Sequence, residues 1–388
     1  MKRICFLFNH DQTHQLAHSL PIAVQMLAQG DHQIVLAYSS DVIGQELARL
    51  GGAALAGASM VRLGVKSSIA RLAAKVLDRT VPATKALLYR DNLDFFRSFD
   101  ALVVSEKTSL LLKTRYGLDR PKIIHTRHGA GDRAIGFNRQ SALFDLVLVP
   151  GEKIRQRLIR EAGLAPDRIV ICGYPKFDLC AHNRFVDSFP APQRSVVLYN
   201  PHPSPRLSSW HRHGEAVLDA FAGQDRYNLI FAPHVMLFAR EWTVTIDPPA
   251  VARVRPPGLS ASVCPHIHVD LGSGASSDMS YTNRADLYLG DVSSQVYEFL
   301  RSPRPCLFLN SHQVAWQNDP NYLHWTAGPV IETPDRLIEA VDRAFASKAE
   351  YRAQQYRLVD DTFSVSAEPS TVRAARAIDA FLASEANR

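Results

Sequence analysis

The chain predicts an α/β protein built from two parallel-sheet halves, on three observations. Short apolar runs alternate with amphipathic helical stretches through most of the 388 residues, which is the pattern of βαβ units. The alternation lapses once, from Leu179 to Arg194, where Pro190 and Pro192 punctuate it, and that lapse reads as an interdomain linker. Finally, Ala285 to Leu300 joins a buried-strand run, Asp286 to Gly290, to a helical pattern on Val296, Phe299 and Leu300 through Asp291-Val292-Ser293-Ser294. A strand running into a helix start offers unpaired N–H groups and the positive end of a dipole to an anion. Two serines at that place also suit a plain helix cap.

In the first half, Arg3 to Phe8 reads as a strand, followed by a polar loop carrying His10 and His14 and a helix through Leu16, Leu20, Ala23 and Leu27 that Gly30 closes. Gln33 to Tyr38 repeats the strand and Asp41 to Leu50 the helix. Ligands of such sheets lie beyond the carboxyl ends of the strands, so His10 and His14 are placed at a site edge or are simply solvated. Met60 to Arg90 reads as a long helical region rich in Lys and Arg, among them Arg62, Lys66, Arg71 and Lys75. It fits either a solvated basic face or a surface resting on acidic headgroups. Strands follow at Ala101 to Ser105 and Lys122 to Thr126, the second leading into His128-Gly129-Ala130-Gly131-Asp132-Arg133. Phe144 to Pro150, a helix to Ala162, and Arg168 to Gly173 complete this half.

The second half starts with a strand at Ser195 to Asn200, a Pro/Ser-rich loop containing Arg206, a helix at Gly214 to Phe221 and a strand at Leu229 to Ala232 that ends at Pro233-His234. Trp242 to Pro257 carries no clear period. His266 to Asp270 and Pro305 to Leu309 read as strands, Trp316 to Trp325 as a polar aromatic loop, and Asp335 to Phe345 and Val372 to Leu382 as amphipathic helices.

Composition narrows the class. Lys plus Arg exceeds Asp plus Glu by 44 to 38, a formal charge of +6, which suits an anionic ligand or an acidic surface. Five cysteines without a Cys-x-x-Cys pair argue against a zinc knuckle or disulfide framework and for a reducing cytosol. No run approaches the roughly 20 apolar residues of a membrane helix, and the N-terminal apolar run is too short for a signal sequence. His266 and His268 have ligand-like spacing but no third ligand nearby, so no metal is expected. Walker A, Gly-x-Gly-x-x-Gly after the first strand and Gly-x-Ser-x-Gly are absent, which disfavours an NTPase, a nicotinamide enzyme and a serine hydrolase.

In order, His128-Gly129, Gly173-Tyr174-Pro175-Lys176-Phe177-Asp178, a strand ending in Asn200-Pro201, Pro233-His234, and Asp291-Val292-Ser293-Ser294 followed by Tyr297-Glu298-Phe299 resemble the CDP-glycerol glycerophosphotransferase family, which builds teichoic-acid-type polymers. Ala327-Gly328-Pro329-Val330 is similar to that family's Pro-Gly-Pro stretch. The chain departs from the pattern at Ala130-Gly131-Asp132-Arg133, at Val235 after His234, and at Val292.

The resemblance implies a GT-B architecture of two Rossmann-like domains with a cleft between them. Residues 1–180 would form the acceptor-side domain, 191–365 the nucleotide-donor domain, and 366–388 a helix packing back towards the first. It implies transfer of a glycerol phosphate or related alditol phosphate from a CDP-activated donor to a hydroxyl of a lipid-linked or polymeric acceptor, with release of CMP. His128 would be the base and His234 would steady the diphosphate. Ser293, Ser294, Asp291 and Arg206 would hold donor phosphate, with His10, His14 and Gly129 on the acceptor side. No cofactor, metal or nucleic acid enters this scheme, and the expected setting is the cytoplasm, with an anionic membrane face as a partner surface. Two other readings stay open: a GT-B glycosyltransferase using a nucleotide sugar in envelope polysaccharide synthesis, and a non-catalytic module for anionic polymers.

Overall fold

The computed structural model describes the chain except residues 11–12, 68, 70–73, 75–82, 128, 134–135, 187, 247–248, 259–262 and 387–388. It divides into two compact units. The first comprises Met1–His128, Phe137–Leu179 and Phe363–Arg388, and the second Gly129–Gly136 and Cys180–Thr362.

In the first unit, seven strands form one parallel sheet: β1 (Arg3–Phe8), β2 (Gln33–Tyr38), β3 (Ser59–Arg62), β4 (Ala101–Val104), β5 (Lys122–Thr126), β6 (Leu146–Val149) and β7 (Ile169–Ile171), in the order β3-β2-β1-β4-β5-β6-β7. The strands are apolar along their whole length because both faces are covered. Alternate side chains divide between two cores, Cys5, Leu7, Val35, Leu102 and Val104 on one face and Ile4, Phe6, Ile34, Leu36 and Val103 on the other. The second core is closed by the helix Leu20–Gln29 and by Ala374, Ala375, Ile378 and Leu382 of the C-terminal helix Ser370–Ala386.

The second unit holds a six-stranded parallel sheet made of β8 (Val196–Asn200), β9 (Asn228–Phe231), β12 (Ile267–Val269), β13 (Leu287–Gly290), β14 (Cys306–Leu309) and β15 (Val330–Ile331). A separate antiparallel hairpin, β10 (Trp242–Ile246) with β11 (Pro249–Arg253), lies between β9 and β12 in the chain. The main sheet runs β12-β9-β8-β13-β14-β15. Strand order therefore reverses between β1 and β4 in one unit and between β8 and β13 in the other. Crevices beyond the carboxyl ends of strands at such reversals are where open α/β sheets take ligands.

Three expectations change. Met60 and Arg62 stand on β3, paired with Leu36 and Tyr38 of β2, so the basic stretch does not begin as a helix. The strand wins because it adds an edge to a buried sheet. Arg62 is ion-paired with Asp41, Lys85 with Glu106 and Arg90 with Asp91, while Arg71 and Lys75 fall outside the described residues. The unpatterned stretch after Trp242 is the β10–β11 hairpin. The loop from Trp316 to Trp325 contains a 3-10 segment, Pro320–Ala327, and a further helix, Lys348–Thr362, follows the one at Leu337–Ala346. Among the described residues no helix is long and apolar enough to cross a membrane.

Candidate functional site

At the reversal point of the second unit, Asp291 follows β13 directly and is buried. One carboxylate oxygen accepts the His202 N–H at 2.9 Å and the Val292 N–H at 2.6 Å. The other accepts the Ser209 N–H at 2.6 Å and the Ser209 hydroxyl at 2.8 Å. Burial raises the carboxyl pKa, and these donors only partly offset it. Asp291 thus occupies the N-terminal end of the helix Trp210–Ala222 with the chain's own carboxylate and ties down the loop after β8. The four hydrogen bonds its carboxylate accepts all come from the chain itself.

The backbone carbonyl of Asp291 accepts the Trp325 indole N–H at 2.7 Å and His324 Nε2 at 3.0 Å. His324 Nδ1 lies 2.9 Å from Asp132. Each ring nitrogen of His324 thus faces an oxygen acceptor, the Asp132 carboxylate on one side and the Asp291 carbonyl on the other. Asp132 also accepts the Tyr297 hydroxyl at 2.7 Å on both oxygens and the His324 N–H at 3.0 Å. These bonds anchor the segment 129–136 in the second unit.

Glycine lets that segment approach closely. Gly129 has φ +74°, and a Cβ at Gly131 would lie 2.9 Å from the Ser294 Cβ. Ser294 is exposed, and its hydroxyl makes no capping bond to the helix Gln295–Leu300. Ser293 is buried, accepts the Gln295 N–H at 3.4 Å and hydrogen-bonds the Tyr288 hydroxyl. The two serines therefore differ. Ser294 is exposed with its hydroxyl beside the Gly129–Gly131 backbone, and Ser293 braces the turn.

Two histidines flank this turn from the loops after β8 and β9. His202 Nδ1 accepts the Ser204 N–H at 3.0 Å and His234 Nδ1 the Met236 N–H at 3.3 Å, with the ring centroids 6.1 Å apart. A backbone donor on Nδ1 leaves the proton on Nε2. Burial lowers the His234 pKa to about 4. It lowers that of His202 well below the usual value, and the nearby His234, Arg133 and His324 push it further. At neutral pH both rings are uncharged, with Nδ1 occupied by a backbone N–H and the proton on Nε2, an arrangement suited to donating to phosphate oxygens. Ser204, whose N–H holds the His202 ring, has a buried hydroxyl with no protein partner among the described residues.

The remaining expected residues lie elsewhere. His128 and the side chain of His14 fall outside the described residues. Arg206 is exposed and donates from Nε to the Pro249 carbonyl at 3.0 Å. His266 donates to the Phe221 carbonyl at 2.8 Å and His268 meets the Tyr281 hydroxyl at 2.9 Å, so both rings have protein partners.

His10 sits at the reversal point of the first unit, buried, with Nδ1 3.5 Å from Glu106 at the end of β4. Burial would raise the Glu106 pKa, but His10 and then Lys85, 2.6 Å away, bring it down to about 2. Sequence reasoning missed His202, Glu106, and the partners of Asp132. For His202 and Glu106 the signal is position, since each lies two residues beyond the carboxyl end of a strand at a reversal; His324 carries no such signal.

No family model and no curated relative matches the chain. Solved structures do. The wall teichoic acid polymerase TagF aligns over 99% of this chain and 90% of its own, with 14% identity and a TM-score of 0.60. The glycotransferase of kitacinnamycin aligns over 98% and 99%, with 16% identity and a TM-score of 0.59. MnaA of S. aureus, solved with UDP, aligns over 98% and 97%, with 13% identity and a TM-score of 0.60. At these identities the likeness is one of fold, and with the two parallel sheets it gives this chain the α/β GT-B fold of two Rossmann-like units.

Asp132→Ala removes one partner of a buried pair and is expected to destabilise the second unit by about 3–5 kcal/mol. A denaturation curve close to that of the unaltered protein would show that His324 and Tyr297 hold the segment without it. In the first unit, the folded Glu106 pKa of about 2 lies below its usual 4.5. The linked stability, at most ~3 kcal/mol, is present above pH 4.5 and lost as pH falls towards 2. Urea midpoints of Glu106→Gln should therefore lie below those of the unaltered protein at pH 7 and converge with them only at about pH 2 and below. A gap that is the same at every pH would contradict this.

Proposed function

We propose that the chain is a GT-B transferase that moves a glycerol phosphate, or a related alditol phosphate, from a CDP-activated donor to a hydroxyl of a lipid-linked or polymeric acceptor and releases CMP. The observation that carries this reading is the pair of neutral imidazoles, His202 and His234, on the loops flanking the Asp291–Ser294 turn at the reversal point of the second unit. Their Nε2–H groups, the Ser294 hydroxyl and the Arg133 guanidinium supply donors and charge for a diphosphate in a poorly hydrated place. The resemblance in motif order supports the same donor, as does the likeness to a polymerase that has been solved with CDPG.

In this reading the acceptor oxygen bonds to the phosphorus bearing glycerol, and the bond from that phosphorus to the bridging oxygen breaks. The electron pair leaves with CMP. His128 takes the acceptor's proton, because a base that works near neutrality is needed and His202 and His234 have their Nδ1 lone pairs engaged by backbone N–H groups. His234 and His202 steady the charge that develops on the CMP phosphate. Ser293 positions Ser294 rather than touching the donor. His10, oriented by Glu106, serves the acceptor side together with His14 and Gly129. A nucleotide-sugar glycosyl transfer on the same scaffold is the second reading, and the likeness to the glycotransferase of kitacinnamycin favours it.

The roles predict opposite kinetic signatures. His128→Ala should lower turnover at least about a hundredfold with CDP-glycerol affinity unchanged. Replacing Ser293 and Ser294 together by alanine should weaken that affinity by about 1–3 kcal/mol in calorimetry. Wild-type turnover in the folded His128 variant removes it as the base, and unchanged affinity in the serine variant returns the turn to a structural role.

A further inference from the structure

The β10–β11 hairpin wears its side chains in reverse. Its register sets Trp242 across from Arg253 and Val244 across from Val251 on one face, and Thr243 across from Ala252 and Thr245 across from Ala250 on the other. A sheet with one wet face normally turns its β-branched and aromatic residues inward. Here Trp242 is 54%, Val244 68% and Val251 66% exposed, while Thr243, Thr245, Ala250 and Ala252 are half-buried. The hairpin is also held in place. Arg206 Nε donates to the Pro249 carbonyl at 3.0 Å, the Val254 N–H to the Glu241 carbonyl at 2.8 Å, and the Trp210 indole to the Arg255 carbonyl at 3.2 Å. An exposed apolar face on an anchored ribbon is a contact surface rather than a folding error.

The charges around that face choose its occupant. Arg206, Arg240, Arg253 and Arg255 are all exposed at its margins, and Glu241 pairs with Arg253 at 2.8 Å. A second copy meeting the same patch about a twofold axis would bring these arginines against each other. An acidic bilayer meets the patch with opposite charge, an apolar interior for the two valines, and an interface that suits an indole ring and arginine stems. We propose that the outward face of the β10–β11 hairpin seats in the headgroup region of an anionic lipid bilayer. This holds whether or not the transferase reading does.

Trp242 is its own reporter, because Trp210 and Trp325 are 6% and 2% exposed and Trp316 is half-buried. Full-length protein mixed with vesicles of phosphatidylcholine and phosphatidylglycerol should show a blue shift in tryptophan emission and quenching by lipid brominated in the acyl chain. Vesicles of phosphatidylcholine alone should give neither. Trp242→Phe should abolish the spectral change yet still float with the anionic vesicles. Val244→Asp and Val251→Asp, at exposed positions that leave the fold intact by circular dichroism, should each weaken flotation at least about tenfold. The proposal fails if there is no shift, if neutral and anionic vesicles bind alike, or if the aspartate variants bind like wild type. It also fails if those variants abolish self-association seen by sedimentation without lipid, which would make a second copy the occupant.

Discussion

The second unit depends on one buried carboxylate. Asp291 joins the end of β13, the loop after β8 and the start of the helix Trp210–Ala222 through four donated hydrogen bonds, and its carbonyl joins them to His324 and Trp325. Charge-assisted bonds of this kind are strong, and a buried carboxylate deprived of them is costly. Together with the His234 N–H bond to the Pro201 carbonyl, the Asp291 bonds hold the loop after β8 in the bend that sets the His202 and His234 ring centroids 6.1 Å apart. An anion already stands at the helix N-terminus, so any ligand phosphate must find its donors elsewhere.

That constraint shapes the chemistry open to the site. The donors proposed for that role are the imidazole N–H groups, the Ser294 hydroxyl and Arg133, and Asp132 beside Arg133 is held by His324 while Gly131 packs on Ser294. His202 and His234 have Nδ1 engaged by a backbone N–H, and burial lowers their pKa values, so they are weaker bases than an ordinary histidine. In the proposed transfer, proton removal therefore falls to a different histidine.

Much of this was legible beforehand. The strands Arg3–Phe8 and Gln33–Tyr38 were readable to the residue, because continuous apolar runs bounded by turn residues have few other fates. The turn at Asp291 was also visible, as the junction of a strand period and a helix period. Other features had no local signal. Residues 348–362 lack a clear amphipathic period, since only Gln355, Leu358, Val359 and Thr362 of that helix are buried. The Trp242 hairpin was obscured by Pro248, Pro249, Pro256 and Pro257, which break up a short alternating stretch. Asp132 and His324 lie 192 residues apart, and no spacing rule links them before the chain has folded. Glu106 looked like any acidic loop residue until the sheet order put it beside His10.

The central claim is that the site cleaves a phosphorus–oxygen bond in a cytidine-activated donor. Incubating the purified protein with a hydroxyl acceptor and a panel of CDP-alditols and nucleotide diphosphate sugars, then identifying the released nucleotide by mass spectrometry, tests it directly. The account predicts CMP, formed only from the CDP-alditols and in step with phosphate-linked product. Release of a nucleoside diphosphate from a sugar donor, with none from any CDP-alditol, would contradict it.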